Sequence, residues 1–185
     1  MPLDHTDSER RDPRQITAVE YGRMADAYAR AVAPAADQLS LGLGLRLVRA
    51  SGAFVKAAEI EVQRPLKLNW SYFSTIYVIS VFKSLEARTI ARFTGLTRQA
   101  VSIVLAGMEK AGLVIRSSGN QEDGRLVSIR FTDQGEETAS RSVQDQLRFS
   151  EKWFSVLDRD ERAELNRLLE KLLEKGPQQA GRRDQ

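Results

Sequence analysis

A mainly helical fold with a small β component (mainly α, α+β winged helix) is what this sequence predicts, on three observations. Residues 89–135 hold a short helical stretch, a turn at Gly95, a second helical stretch opening at Thr97, and two strand-like runs around a charged loop. Apolar residues recur at helical spacing on both sides of that region: Tyr21, Met24, Tyr28 and Val32 before it, Leu165, Leu168, Leu169, Leu172 and Leu173 after it. Only residues 113–116 and 125–131 read as strands. Helix, turn, helix and hairpin in that order make a winged helix-turn-helix, a shape whose second helix fits the major groove of DNA.

The elements follow from the chain in order. Residues 1–13 are polar, contain two prolines and are expected to form a disordered tail. Residues 14–32 read as an amphipathic helix, interrupted by Pro34, with Asp37 near the next helical start. Residues 39–62 admit two readings. LSLGLGLRLV alternates with period two, as a strand would, yet Leu39, Leu43 and Leu47 also lie four apart, as on a helix. The alanine- and charge-rich AFVKAAEIEV that follows extends the pattern beyond ordinary strand length, so helix is preferred. Gly42 and Gly44 begin a nucleotide-loop pattern, but Leu47 stands where its third glycine would be.

Asn69 can cap a helix over 70–82 that is apolar almost all round and should be buried at the domain centre. A shorter helix over 86–94 ends at Gly95, which permits a left-handed turn, and Thr97 caps the next helix, closed by Gly112. After the hairpin, Thr132 can cap a long helix with Val143, Leu147 and Phe154 along one face. Asp158 and Glu161 have the spacing of a capping box for the last helix, and residues 176–185 should fray. The expected organisation is a tail (1–13), N-terminal dimerisation helices (14–63), a winged helix-turn-helix (64–132), C-terminal dimerisation helices (133–175) and a second tail (176–185).

Composition excludes several functions. The 185 residues contain no cysteine, which removes disulfides, thiolate catalysis, thiol redox sensing and cysteine-bound zinc. The single histidine, His5, lies in the N-terminal tail, so neither a histidine metal cluster nor a Ser-His pair can be assembled. No catalytic constellation can be named, and the expectation is a protein that is not an enzyme and needs no cofactor. The longest nearly apolar run, residues 72–82, is too short to cross a bilayer, and the tail is no signal peptide; the expected address is the cytoplasm, with no membrane partner. A net charge of +3 permits nucleic-acid binding without demanding it.

Within residues 97–111, Val101, Val104, Leu105 and Met108 are spaced to face inward, leaving Thr97, Arg98, Gln99 and Ser102 outward near the N-terminal end. Arginine can grip guanine, and glutamine adenine, with two hydrogen bonds each. A polar outer face is the default for any surface helix; the turn and hairpin attached to this one turn it toward DNA. In the hairpin, Asp123 and Arg125 lie two apart, so the carboxylate can orient the guanidinium toward a narrow minor groove. The plain alternative is a surface ion pair worth ~0–1 kcal/mol. Arg116 and Arg130 are either phosphate contacts or solvated strand residues.

The run GLTRQAVSIVLAGMEKAGLVIR followed by EDGRLVSIRFTDQG resembles the MarR family of bacterial transcription regulators. The motifs that carry the likeness are 112–116 (GLVIR), Asp123-Gly124-Arg125 and 131–135 (FTDQG), and the similarity extends over roughly residues 66–175. Ile103 and Gly107 depart from it, standing where basic residues are common; fewer cations should give a shallower salt dependence. The helix over 14–32 is an extension beyond the minimal family core.

The resemblance implies a homodimer built from the first and last helices, binding double-stranded DNA at a palindromic operator, more as repressor than activator. The leucine stripe and the apolar segment 39–48 independently suggest an interface, since large exposed apolar patches usually mark one. It also implies release by a small aromatic or phenolic effector; Trp70, Phe73 and Tyr77 would then be apolar walls, with Arg46 or Arg49 meeting a carboxylate. Against that stands the ordinary reading of such aromatics as core. The rival from another class is a winged helix used for protein–protein docking without DNA.

Overall fold

Thr17 sets the start of the first helix. Its hydroxyl accepts the Glu20 amide at 3.2 Å while the Glu20 carboxylate accepts the Thr17 amide at 2.8 Å, a reciprocal capping box that opens α1 (Ala18–Val32). The helix therefore begins later than the expected residue 14, and Pro13–Gln15 form a 3-10 turn instead. The Asp37 carboxylate accepts the amides of Leu39 (3.1 Å) and Ser40 (3.3 Å) and opens α2 (Gln38–Ala58), so the helical reading of the Leu/Gly alternation holds. It holds only to Ala58. Glu59–Gln63 widen into a π turn, and Pro65, which has no amide to donate, sits in the 3-10 turn Arg64–Leu66 that ends at left-handed Lys67 (φ 57°).

The computed structural model describes residues 12–118 and 127–175. Most of the two expected tails lies outside the described residues. The chain divides into two units, residues 1–57 and 58–185. In the first, α1 and α2 are joined by the Asp26–Arg46 ion pair at 2.6 Å. Gly42 makes room for it: a Cβ there would stand 2.3 Å from Arg46 Nη1 and 3.0 Å from Asp26 Oδ1.

The second unit is built around α3 (Trp70–Phe82), capped by the Asn69 side chain, which accepts the Tyr72 amide. Phe73, Ile76, Val78 and Ile79 are buried, but Tyr77, Val81 and Phe82 are exposed. The expectation of a helix buried all round is thus corrected. Its neighbours α4 (Ala87–Thr94), α5 (Arg98–Lys110) and α6 (Asp133–Trp153) leave its outer edge open. Leu85–Glu86 form a short β1 that sequence reasoning missed, pairing with β3 (Val127–Phe131) through Leu85↔Ile129. β3 also pairs antiparallel with β2 (Val114–Ser118), giving a three-stranded sheet in the order β1-β3-β2. Ile76, Ile79, Ile90, Val101, Leu105, Met108, Val114 and Ile129 are almost fully removed from solvent and form the core.

Two glycines fix how the wing leaves α5 and returns. Gly112 is left-handed (φ 70°), and the amides of Gly112 and Leu113 donate to Glu109 and Met108, closing α5 in a Schellman turn. Gly135 lies in the first turn of α6, where a Cβ would stand 1.9 Å from the Leu113 carbonyl oxygen. Thr132 joins the same knot: its hydroxyl donates to the Gly112 carbonyl at 2.6 Å and accepts the Gly135 amide at 3.0 Å. On α6 the buried row is Gly135, Ala139, Ser142, Gln146 and Phe149. Leu147 is exposed and Phe154 lies in the 3-10 turn Phe154–Val156, so the apolar face expected there is corrected to a row of small and polar residues. Fully buried Gln63 donates to Gln146 at 2.9 Å, tying the π turn to α6. Asp158 and Glu161 exchange two 2.9 Å bonds to open α7 (Arg159–Lys175), along which Leu165, Leu168, Leu172 and Leu173 are exposed. Among the described residues no helix is long and apolar enough to cross a membrane.

Candidate nucleic-acid interface

The helix-turn-helix is assembled from local chemistry. α4 buries Ile90 and ends where the amide of left-handed Gly95 (φ 72°) donates to Ala91 at 3.1 Å. The Thr94 hydroxyl donates to the Ile90 carbonyl at 2.8 Å and accepts the Leu96 amide at 3.2 Å, fixing the turn. Thr97 then takes an extended conformation and its hydroxyl oxygen accepts the Ala100 amide at 3.1 Å, starting α5. The inward row, Val101, Val104, Leu105 and Met108, is buried.

That packing turns Arg98, Gln99 and Ser102 outward, and all three are exposed. Among the described residues no ion pair or side-chain hydrogen bond engages them. Thr97 is also exposed, but its oxygen is committed to the cap, leaving its proton as the group it could offer to an external acceptor. The first α5 amides that follow have no partner one turn back, a setting that favours an anion.

Gly107, on the same helix, carries no side chain for a packing reason. A Cβ there would stand 1.8 Å from Tyr72 Oη and 3.0 Å from its Cζ, so the tyrosine of α3 lies across the helix at that point. Sequence reasoning noted the missing cation without finding this cause. A glycine inside an otherwise regular helix is the signal the sequence offers.

The wing is placed in part. Arg116 on β2 reaches back to Glu109 of α5 at 3.2 Å, both side chains nearly half exposed, so its charge is compensated within the unit. Arg130, opposite Ile115, is exposed on the outer face of β3. Asp123 and Arg125 lie outside the described residues.

The residues expected to meet an effector fall into two groups. Trp70, Phe73 and Tyr77 form a ladder on α3, with ring centroids 5.4 Å and 6.1 Å apart and exposure rising from buried Phe73 to open Tyr77. Arg46 and Arg49 belong to the first unit and already have partners there. Arg46 is paired with Asp26, while Arg49 stacks 4.4 Å over the Tyr21 ring and donates to the Ala18 carbonyl at 3.3 Å. Both line a cavity of about 800 Å³ between α1 and α2 whose walls include Val19, Leu45 and Val48. No carboxylate cluster suited to a metal occurs among the described residues.

The MarR family model matches residues 66–126, from the start of α3's approach through the helix-turn-helix into the wing. Over that stretch the chain is similar to the MarR family. Among relatives of this chain is YwaE of Bacillus subtilis, an uncharacterized HTH-type transcriptional regulator. It is 27% identical over 133 residues, which are 72% of this chain and 77% of YwaE. Two solved structures share the fold. The organohalide-sensing transcriptional regulator RdhR, with 2,4-dichlorophenol bound, superposes with a TM-score of 0.65 at 20% identity, covering 76% of this chain and 82% of RdhR. A mutant MarR from E. coli complexed with operator DNA gives a TM-score of 0.65 at 18% identity, covering 78% and 97%.

Proposed function

We propose that this protein is a MarR-family transcriptional regulator, a homodimeric repressor of a palindromic operator that is released by a small aromatic or phenolic effector. The observation that carries the DNA part is the outward row on α5: Arg98, Gln99 and Ser102 are open and, among the described residues, unengaged, while the opposite row of the same helix forms the core. In this reading Arg98, Gln99 and Ser102 meet base edges, the Thr97 hydroxyl proton and the α5 amides meet phosphate, and Arg125, steadied by Asp123, enters the minor groove. Arg116 would contact the backbone only after exchanging Glu109 for a phosphate. Residues 64–132 form the DNA-binding part and residues 14–63 and 133–175 the dimerisation part, with the protein working in the cytoplasm and not as an enzyme.

Dimerisation is supported by apolar surface that a lone subunit leaves in water: Leu39, Leu43 and Leu47 on α2 and Leu165, Leu168 and Leu172 on α7 are all exposed. Two-fold symmetry would place the two α5 helices one DNA turn, ~34–36 Å, apart. The effector reading draws on the Trp70–Phe73–Tyr77 ladder together with the 2,4-dichlorophenol bound by RdhR. Since Arg46 and Arg49 are engaged, an acidic effector must compete with Asp26 or displace Tyr21.

The test is Arg98→Ala on an operator recovered by selection. If the contact is bidentate, binding weakens by ~1–3 kcal/mol and one operator position loses its preference. Uniform weakening across all sequences would make Arg98 a phosphate contact, and undiminished binding would remove α5 from the interface.

A further inference from the structure

We propose that Ile103 reads the 5-methyl group of a thymine, which makes it a specificity residue of this regulator; the inference rests on α5 being the helix that enters the major groove. Ile103 is 66% exposed, in the middle of α5 and one turn beyond Gln99. Its exposed companions on α5 are Ser102 beside it and Ala106 three residues on, while Gly107, four residues on, is half-buried against Tyr72. A β-branched side chain loses rotamer freedom in a helix and gains nothing from water, so neither helix propensity nor solvation accounts for it there.

The surroundings leave the isoleucine accessible to a flat partner. Gly107 cannot carry a side chain while Tyr72 Oη occupies that space, and Ala106 contributes a single methyl. Ile103 therefore keeps most of its surface open to a partner approaching α5. In the major groove the apolar feature that distinguishes one base from the others is the thymine methyl, and apolar side chains are its usual contacts. Four residues advance a helix by about 6 Å, which spans about two base steps of ~3.4 Å each. The thymine read by Ile103 therefore lies about two base pairs from the base read by Gln99, wherever the helix axis follows the groove.

The experiment uses the full-length protein and a duplex recovered from a random pool by selection on that protein. Each thymine in the duplex is replaced in turn by uracil, which keeps every hydrogen-bonding group and lacks only the methyl. One position per half-site should lose affinity, roughly fourfold, the size expected for removing one buried methyl from water-excluded contact. It should lie about two base pairs from the position whose preference is lost in Gln99→Ala. In Ile103→Ala the same uracil replacement should have no effect, and in Ile103→Val it should have a reduced one. The residue is exposed, so both variants should melt with the wild type. A duplex bound tightly with no uracil-sensitive position, or one equally sensitive in Ile103→Ala, overturns this assignment and leaves the regulator reading standing. Failure of the wild type to select any duplex overturns both.

Discussion

Replacing Gly135 by alanine sets two effects of opposite sign against each other, and the geometry decides between them. Gly135 is helical and lies in the first turn of α6, where alanine would ordinarily gain up to about 1 kcal/mol. Its new Cβ would, however, stand 1.9 Å from the Leu113 carbonyl oxygen and 2.9 Å from the carbonyl carbon. Backbone cannot rotate aside as a side chain can, so the root of the wing and the start of α6 must separate by more than about 1 Å to relieve the clash. Overpacking of this kind costs about 1–3 kcal/mol. The displaced carbonyl also accepts the Thr132 amide at 3.1 Å, and weakening that bond adds about 1 kcal/mol. The net expectation is a loss of about 2 kcal/mol, read from guanidinium unfolding followed by far-ultraviolet circular dichroism at fixed protein concentration. Gly52→Ala is the control: it is also helical, a Cβ there meets nothing within 4 Å, and it should gain about 0.5–1 kcal/mol. A Gly135→Ala protein as stable as the wild type would refute the steric reasoning.

Three further outcomes are expected. Glu109→Gln removes the partner that holds Arg116, so binding to duplex DNA should tighten and its logarithmic salt slope should steepen by about one phosphate contact; an unchanged slope would leave Arg116 outside the interface. Arg125→Ala should weaken operator binding, and an unchanged gel shift would remove the wing from the minor groove. At the start of α2, the Ser40 hydroxyl, followed by the Ser40 and Leu39 amides, holds the Asp37 carboxyl below its ordinary value. A lowered folded value means that Asp37 stabilises the ionised, folded form at neutral pH and loses that contribution as pH falls through the carboxylate range. The stability difference between wild type and Asp37→Asn should therefore shrink between about pH 5 and about pH 3, and a difference that grew on acidification would contradict this cap.

The helices of the second unit were legible because their ends are written in side chains. Asn69, Thr97, Thr132 and the Asp158/Glu161 pair cap where they stand in the chain, and Gly95 and Gly112 close α4 and α5 through left-handed backbone. The Thr17/Glu20 box is equally written in the chain, and it starts the first helix three to four residues after the point where the apolar repeat alone would begin it. Other features had no short-range signature. β1 is two residues long and exists only because β3 offers it an edge. The buried row of α6 consists of glycine, alanine, serine and glutamine ahead of Phe149, so a search for apolar periodicity picked Leu147 on the exposed side. Gln63 sits at the end of a π turn and finds its partner 83 positions away, a pairing that only the folded chain can specify.

The outward row on α5 was readable from spacing alone, because four buried apolar residues fix which way the remaining side chains point. Why Gly107 interrupts that row was not readable, since the cause is a tyrosine on a different helix.

Selecting duplexes from random DNA with the full-length protein, and then measuring the salt dependence of the winner, tests the central claim most directly. The expected result is an enriched palindrome whose half-sites lie about 10–10.5 base pairs apart, bound less tightly as salt rises. Recovery of no preferred duplex, with no salt-sensitive affinity for DNA of any sequence, would contradict it and leave the α5 face as a surface for another protein.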